Sequence, residues 1–123
     1  MKILLDTHII IWHLTNDPRL SARNSALLED PSVEKIVSLV SIWEIAIKVN
    51  IGKLRLQAGF DEIIPPDTTL LDLQLSHALR YQSLPLHHRD PFDRMLIAQA
   101  QVENLALMTD DPNFPRYALN LVS

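Results

Sequence analysis

The sequence predicts an α/β fold, with a central parallel sheet of four to five short strands and helices on both faces. Short apolar runs without polar alternation, as expected of strands buried on both faces, recur along the chain. Segments with helical periodicity separate these runs, and such a succession forms right-handed crossovers between parallel strands. The length of 123 residues, 47% hydrophobic and 21% charged, predicts one globular domain over residues 1–123.

The N-terminal part contains two predicted strands and two predicted helices between them. Lys2–Leu5 is an apolar run that ends at an aspartate, as a buried strand would. Helices are predicted over His8–Leu14 and Ser21–Glu29, with Ser21 as the N-cap of the second. Each is followed by an Asp-Pro pair that breaks the helical pattern. Ile36–Val40 is rich in β-branched and apolar residues, which predicts the second strand.

A third helix is predicted directly after the second strand. Ser41 and Glu44 have the spacing of a capping box at its start, and Gly52 lies where a C-terminal cap is expected. Apolar residues recur at helical spacing along one face between these positions. The following segment, Lys53–Asp67, permits no firm assignment beyond a short helix around Phe60–Ile64.

The C-terminal half continues the alternation of strands and helices. Asp90 is a natural N-cap, and the proline after it occupies the first position of a helix that runs to about Glu103. The other predicted elements are a strand at Thr68–Leu71, a helix at Leu75–Gln82, a strand at Leu105–Met108 and a final edge strand at Leu119–Val122.

The charge balance restricts the classes of function. The formal net charge of −4 disfavours a protein that grips nucleic acid by neutralising phosphates with Lys and Arg. A nuclease escapes this objection when its acids hold cations, because a bound metal inverts the field that a phosphate meets. The lack of cysteine excludes disulfides and thiolate zinc sites. The first residues show neither a signal-peptide core nor a spanning stretch, so we expect a cytoplasmic protein without a membrane segment.

Four carboxylates are predicted to lie at the same edge of the sheet. Asp6 follows the first strand, Glu44 lies in the first helical turn after the second, Asp93 opens a helix, and Asp111 follows another strand. In an open α/β sheet, ligands collect beyond the carboxyl ends of the strands, because loops and helix N-termini converge there. We therefore expect the four acids to be neighbours in space.

Crowded carboxylates need cations or protons, because like charges repel one another. Mg²⁺ or Mn²⁺ is the natural counter-ion, since hard cations prefer oxygen ligands, and such a site suggests phosphodiester hydrolysis. Each acid also has a simpler interpretation. Glu44 could serve the capping box or pair with Lys48, Asp93 could be favoured by the helix dipole, and Asp6 and Asp111 could be turn residues.

Four stretches of the chain carry a resemblance to a known family. Leu4–His8 is similar to its opening strand motif, Val40–Lys48 to the helix with its first acid, and His88–Ala100 to its later acidic helix. Thr109–Asp111 resembles its closing Thr-x-Asp motif. In this order and spacing, over nearly the whole chain, they resemble the PIN domains, and among these the VapC-type ribonuclease toxins.

This resemblance implies a bacterial ribonuclease toxin that uses Mg²⁺ or Mn²⁺, forms a homodimer and cleaves RNA. It also implies a cognate antitoxin protein whose tail occupies the acidic groove. The metal-binding and catalytic residues would be the four acids named above. Thr109 would orient Asp111 or a water, Asp90 could be a helix cap, an outer-shell group or an occasional ligand, and Asp110 is a close rival of Asp111.

Other residue types that can serve nucleases receive structural interpretations. His87 and His88 are adjacent and lack the spacing of a helical zinc pair, so we expect a structural or loop role for both. Trp12 and Trp43 could stack on RNA bases, but packing is the commoner use of a tryptophan in a small protein. Arg94 could bind RNA phosphate or pair with a nearby carboxylate.

Two other functions compete with the nuclease hypothesis. An aspartate at the end of a first strand is also the position used for aspartyl-phosphate chemistry. A haloacid-dehalogenase-like enzyme would carry a second aspartate two residues later, where this chain has His8. The alternative from a different class is a non-catalytic binding module whose acidic groove docks a basic partner segment.

Overall fold

Five parallel strands form one sheet in the computed structural model, which describes residues 1–56 and 67–122. The strands are β1 (Lys2–Leu5), β2 (Glu34–Ser38), β3 (Thr68–Leu71), β4 (Ala106–Met108) and β5 (Asn120–Val122). The helices are α1 (Thr7–Leu14), α2 (Ala22–Glu29), α3 (Leu39–Asn50), α4 (Leu75–Gln82) and α5 (Pro91–Glu103). The spatial order β3-β2-β1-β4-β5 places β1 in the middle, and the predicted α/β class is confirmed.

The sheet is buried on both faces, because each face has its own hydrophobic core. Ile3 and Leu5 of β1 point into one core, which also contains residues of α1 and α3. Leu4 points to the opposite face, where it packs with Leu96 and Ile97 of α5. Burial on both faces explains why β1 is apolar from Ile3 to Leu5, as the sequence pattern predicted.

The start of α3 differs from its predicted position. β2 ends at Ser38, and its hydroxyl accepts a hydrogen bond from the Val40 N–H at 3.0 Å, so Ser38 is the N-cap. The strand therefore ends two residues earlier than predicted. The capping box predicted at Ser41 and Glu44 is wrong, because both residues already lie within the helix and the Ser41 hydroxyl accepts a hydrogen bond from Thr7 at 2.9 Å.

The other predicted helix ends agree with the structure. Ser21 caps α2 by accepting the Asn24 N–H, and Asp90 caps α5. Gly52 adopts the left-handed conformation, with φ of 77°, just beyond the end of α3. The helix proposed at Phe60–Ile64 lies outside the described residues. Within residues 1–56 and 67–122, no helix has the length and hydrophobicity needed to cross a bilayer.

Replacing Ser38 by alanine should destabilise the protein more than removing an ordinary helix cap. The buried Ser38 hydroxyl also donates to Gln99 Oε1 at 2.6 Å, so Ser38→Ala removes the cap and leaves a buried amide oxygen unpaired. We expect a loss of roughly 2–4 kcal/mol in the free energy of unfolding, measured by urea denaturation. The control Ser21→Ala removes only a cap and should cost about 1 kcal/mol. Equal losses in the two variants would contradict this account of Ser38.

Candidate metal centre

Asp6 lies where β1 ends, and its side chain is tied to the end of the neighbouring strand. The Asp6 N–H donates to the Met108 carbonyl at 3.0 Å, which continues the pairing of β1 with β4 by one residue. The Thr109 hydroxyl then donates to Asp6 Oδ2 at 2.8 Å. Asp6 is only 1% exposed, and its Oδ1 atom is buried without a hydrogen-bond partner. One carboxylate oxygen of Asp6 is therefore fixed and the other is unpaired.

Glu44 enters the same region from α3. Because this helix begins at Leu39, Glu44 lies in its second turn rather than the first turn that the sequence predicted. The side chain is buried, Oε2 pairs with Lys48 Nζ at 3.2 Å, and Oε1 is buried without a hydrogen-bond partner. The ion pair with Lys48 considered from the sequence is present, yet it engages only one of the two carboxylate oxygens.

Asp93 is placed by the start of α5. The Asp90 side chain accepts the Asp93 N–H at 3.0 Å, and Pro91 occupies the first helical turn, as the sequence predicted. This cap directs the backbone of the first turn, in which Asp93 is 5% exposed. Asp90 therefore acts as the helix cap, while Asp93 is the acid that the cap positions.

Asp111 and Asp110, which the sequence left as rivals, have different surroundings. The Asp111 N–H donates to the Thr109 hydroxyl at 3.0 Å, and Asp111 Oδ1 accepts the Asn113 N–H at 2.8 Å. Asp110 is exposed, and its negative charge interacts favourably with the guanidinium of Arg19. The Thr109 hydroxyl therefore bridges Asp6 and the Asp111 backbone, and it is Asp111 that faces the cluster.

His88 joins the acids, which the sequence did not predict. Its Nε2 atom lies 2.8 Å from Asp93 Oδ2 and 3.6 Å from Asp111 Oδ2. These three residues each offer a potential ligand atom, and the three atoms lie within 4.8 Å of one another. His87 points elsewhere and packs edge-on against Tyr117 at 5.2 Å. The available signal was the location of His88 in the loop leading to the Asp90 cap, close in sequence to the first turn of α5.

Comparison with protein families assigns the chain to one of them. The model of the PIN domain matches residues 3–120. The chain belongs to the PIN domain family. No curated protein matches this PIN domain at a significant level.

Solved structures share this fold over nearly the whole chain. A chain of VapBC2 from Rickettsia felis, bound to a DNA fragment from its promoter, has a TM-score of 0.75 and 18% identity, covering 99% of this PIN domain and 98% of that chain. A toxin–antitoxin complex from Klebsiella pneumoniae has a TM-score of 0.68 and 19% identity, and the match covers 98% of this PIN domain and 96% of that chain. VapBC-1 from nontypeable Haemophilus influenzae has a TM-score of 0.67 and 21% identity, and the match covers 100% of this PIN domain and 98% of that chain. At these identities, the similarity concerns the fold.

Two carboxyl groups of the acidic cluster have raised pKa values. Burial raises the pKa of Asp6, with further contributions from Asp111 and Glu44, although the Thr109 hydrogen bond and His8 oppose the rise. Burial also raises the pKa of Asp93 to about 7, with additional repulsion from Asp6, Asp90 and Glu44 that the hydrogen bond from His88 partly offsets. Both shifts have the same cause, because negative charges are buried close together. A cation would relieve this repulsion.

The residues present fit a hard divalent cation. The unpaired buried oxygens, Asp6 Oδ1 and Glu44 Oε1, belong to two different acids of the cluster. Buried polar atoms usually have a partner, so two unpaired carboxylate oxygens from acids of one cluster fit the ligand set of a cation. Carboxylate oxygens are the ligands that Mg²⁺ and Mn²⁺ prefer.

The two tryptophans have different surroundings. Trp12 is buried in the core beside β1, as expected. Trp43 is 62% exposed, and its indole packs edge-on against Phe92 at a centroid distance of 5.2 Å. The expectation of a packing role is therefore wrong for most of the Trp43 surface. Trp43 and Phe92 directly precede Glu44 and Asp93 in sequence.

The stability of the metal-free PIN domain should fall as the pH rises toward neutrality. The pKa of Asp93 is raised from 3.8 to about 7, so in this range the folded state binds a proton that the unfolded state has lost. Stability then decreases with increasing pH, and the raised pKa of Asp6 acts in the same direction. Asp17 and Asp30 have lowered pKa values, so their stabilising contributions are already complete above about pH 5.

Urea denaturation in EDTA at about pH 5 and about pH 7.5 measures this fall in the free energy of unfolding. Asp93→Asn should make it distinctly smaller, because the amide does not titrate. Saturating Mg²⁺ should raise stability more at the higher pH, since the cation binds the deprotonated acids. A wild-type stability that rises between these pH values, or a fall unchanged in Asp93→Asn, would contradict the electrostatic description.

Proposed function

We propose that this PIN domain is a divalent-metal-dependent endoribonuclease and the toxin component of a bacterial toxin–antitoxin pair. The observation that carries the proposal is the electrostatic coupling of acids from four separate segments, three of them buried and two of these with an unpaired oxygen. Such an arrangement costs stability unless a cation compensates for it, and folds retain costly clusters of this kind at functional sites. The proposed catalytic and metal-binding residues are Asp6, Glu44, Asp93 and Asp111.

Each of these acids has a defined part in holding Mg²⁺ or Mn²⁺. Asp6 would bind through Oδ1, because Oδ2 is held by Thr109, and Glu44 through Oε1, because Oε2 pairs with Lys48. Asp93 and Asp111 would complete the acidic side of the site. When bound there, the cation would lower the pKa of a coordinated water and stabilise charge on the attacked phosphate and the leaving oxygen.

The protein's own residues prepare this chemistry. Thr109 holds Asp6 and the Asp111 backbone in one arrangement, which limits the reorganisation needed on cation binding. Lys48 partly neutralises Glu44 through the ion pair at 3.2 Å, and its side chain is half-buried. Asp111 is partly exposed, so it is the acid of the four through which solvent reaches the cluster most directly.

The proposed partners follow from the same acidic surface. The matched Rickettsia, Klebsiella and Haemophilus structures are VapBC or toxin–antitoxin proteins by their descriptions, and we propose a cognate antitoxin for this chain also. A basic antitoxin segment would complement the net charge of −4 and block the acids. RNA is the proposed substrate and a homodimer the proposed assembly, both on the basis of family resemblance.

RNA cleavage by antitoxin-free protein tests the proposed function. We expect cleavage with Mn²⁺ or Mg²⁺, none with EDTA, and a loss of at least about 100-fold in Asp6→Asn, which removes a ligand charge at nearly constant volume. Asp30→Asn is the matched control, because Asp30 precedes β2 at the end of the sheet opposite to Asp6, and its side-chain hydrogen bonds within the described part of the chain are with Ser32.

The pair of variants separates the enzyme from a contaminant and from a binding module. Cleavage that persists in Asp6→Asn would reject the proposed site, since a co-purifying nuclease or other residues would then be responsible. Protein that binds an antitoxin but no Mn²⁺, and cleaves no RNA from a total cellular pool, would favour the non-catalytic alternative. Equal losses in Asp6→Asn and Asp30→Asn would indicate a general effect of either substitution and contradict the assignment to Asp6.

A further inference from the structure

The loop that leads into α5 is held by two buried side chains. Arg94 donates from Nη1 to the carbonyl oxygens of Pro85 at 2.9 Å and His88 at 3.1 Å, and its guanidinium lies over the Tyr81 ring at 4.9 Å. The Tyr117 hydroxyl donates to the Pro85 carbonyl at 3.0 Å and accepts the His88 N–H at 2.9 Å. Arg94 thus binds loop carbonyls, and neither role considered from the sequence describes its contacts. Together, Arg94 and Tyr117 fix the backbone at His88.

Hydrogen bonds also determine which nitrogen of the His88 ring carries the proton. The Arg89 N–H donates to Nδ1 at 3.1 Å, so this nitrogen acts as an acceptor. In a neutral imidazole the proton is then on Nε2, from which it is donated to Asp93 Oδ2 at 2.8 Å. The ring is further confined by Phe114, at a centroid distance of 6.0 Å. His88 is therefore a hydrogen-bond donor directed at a carboxylate.

We propose that His88 is a positioning residue of the metal centre, which holds Asp93 in the orientation needed for a cation and does not itself bind the cation. The inference rests on the proposed metal-dependent function and specifies one part of it. A ligand imidazole needs a free lone pair, but here one nitrogen accepts the Arg89 N–H and the other donates to Asp93. The close approach of His88 to Asp93 thus reflects hydrogen bonding to a proposed ligand, and Asp111 Oδ2 at 3.6 Å lies beyond hydrogen-bond distance.

The physical need for such a donor lies in the surroundings of Asp93. Asp6, Asp90 and Glu44 all repel its carboxylate, and these repulsions favour turning the side chain away from the cluster. The Nε2–H donor secures Oδ2 and opposes this movement. Outer-shell donors of this kind hold ligands in place, and their loss typically weakens metal binding by about 10- to 100-fold.

Calorimetric titration with Mn²⁺, without RNA, measures this role in the full-length protein. His88→Ala should weaken Mn²⁺ binding by about 10- to 100-fold, because Asp93 loses its donor. His88→Gln can place an amide N–H near the position of Nε2 and should recover most of the affinity. His87→Ala is the matched control, since the adjacent histidine contacts the Tyr117 ring and no acid of the cluster. Thermal denaturation in EDTA shows that each variant is folded.

Electron spin echo spectroscopy of bound Mn²⁺ separates a positioning residue from a ligand. We expect no directly coordinated imidazole nitrogen in the wild-type protein. A strong nitrogen coupling that disappears in His88→Gln would overturn the inference and make His88 a ligand. Wild-type affinity in folded His88→Ala would overturn it as well, as would equal weakening in His88→Ala and His87→Ala.

These outcomes are distinct from a failure of the proposed function. Wild-type protein that binds no Mn²⁺ would reject the metal centre, and the role of His88 with it. Metal binding that depends on His88 in a protein that cleaves no RNA would support the positioning role while contradicting the nuclease.

Discussion

The central position of β1 is the constraint on which the rest of the structure depends. This strand pairs with β2 on one edge and β4 on the other, and hydrophobic cores cover both of its faces. The side chains of Ile3, Leu4 and Leu5 are therefore buried and apolar, and the first charged group after them is Asp6. The pairing with β4 continues to the Asp6 N–H, which brings Thr109 beside Asp6. The register between β1 and β4 thus determines that Asp6 and Thr109 lie side by side at the centre of the acidic cluster.

The buried carboxylates of this cluster repel one another, which costs free energy of folding, and the surrounding side chains offset this cost only in part. Thr109, Lys48 and His88 each engage one oxygen of a different carboxylate, so that part of the negative charge is hydrogen-bonded or paired. Buried oxygens of Asp6 and Glu44 are left unpaired, and the pKa values of Asp6 and Asp93 are raised. Complete compensation would give a more stable protein with nothing left to hold a cation. The incomplete compensation is the property expected of a binding site.

The helix caps that follow the strands determine where the acidic side chains lie. Ser38 starts α3 and Asp90 starts α5, and the position of each cap determines which face of the helix its acid occupies. Ser38 also belongs to a buried polar network. Its hydroxyl donates to Gln99, whose amide contacts Nδ1 of the fully buried His77. Such a network permits few alternative arrangements, so it holds α3 and α5 in a fixed relation on either side of the cluster.

Several features were determined by the sequence alone, because they depend on local pattern. Apolar runs without alternation identified all five strands, and local turn chemistry identified the caps Ser21 and Asp90. The parallel topology then predicted one edge for Asp6, Glu44, Asp93 and Asp111, and burial of the first three and the contacts of His88 with Asp93 and Asp111 agree with that grouping.

Other features were decided only by the tertiary structure. Ser38, and not Ser41, caps α3, because the Ser41 hydroxyl has a partner in Thr7, 34 residues away in the chain. The sequence alone does not distinguish the adjacent histidines His87 and His88. Hydrogen bonds from the His88 backbone to Tyr117 and from Arg94 to the His88 carbonyl hold His88, and not His87, beside the acids. Sequence pattern reports the period of an element and the residues at its ends. Which side chains meet across elements depends on packing between distant segments, and no local pattern encodes that.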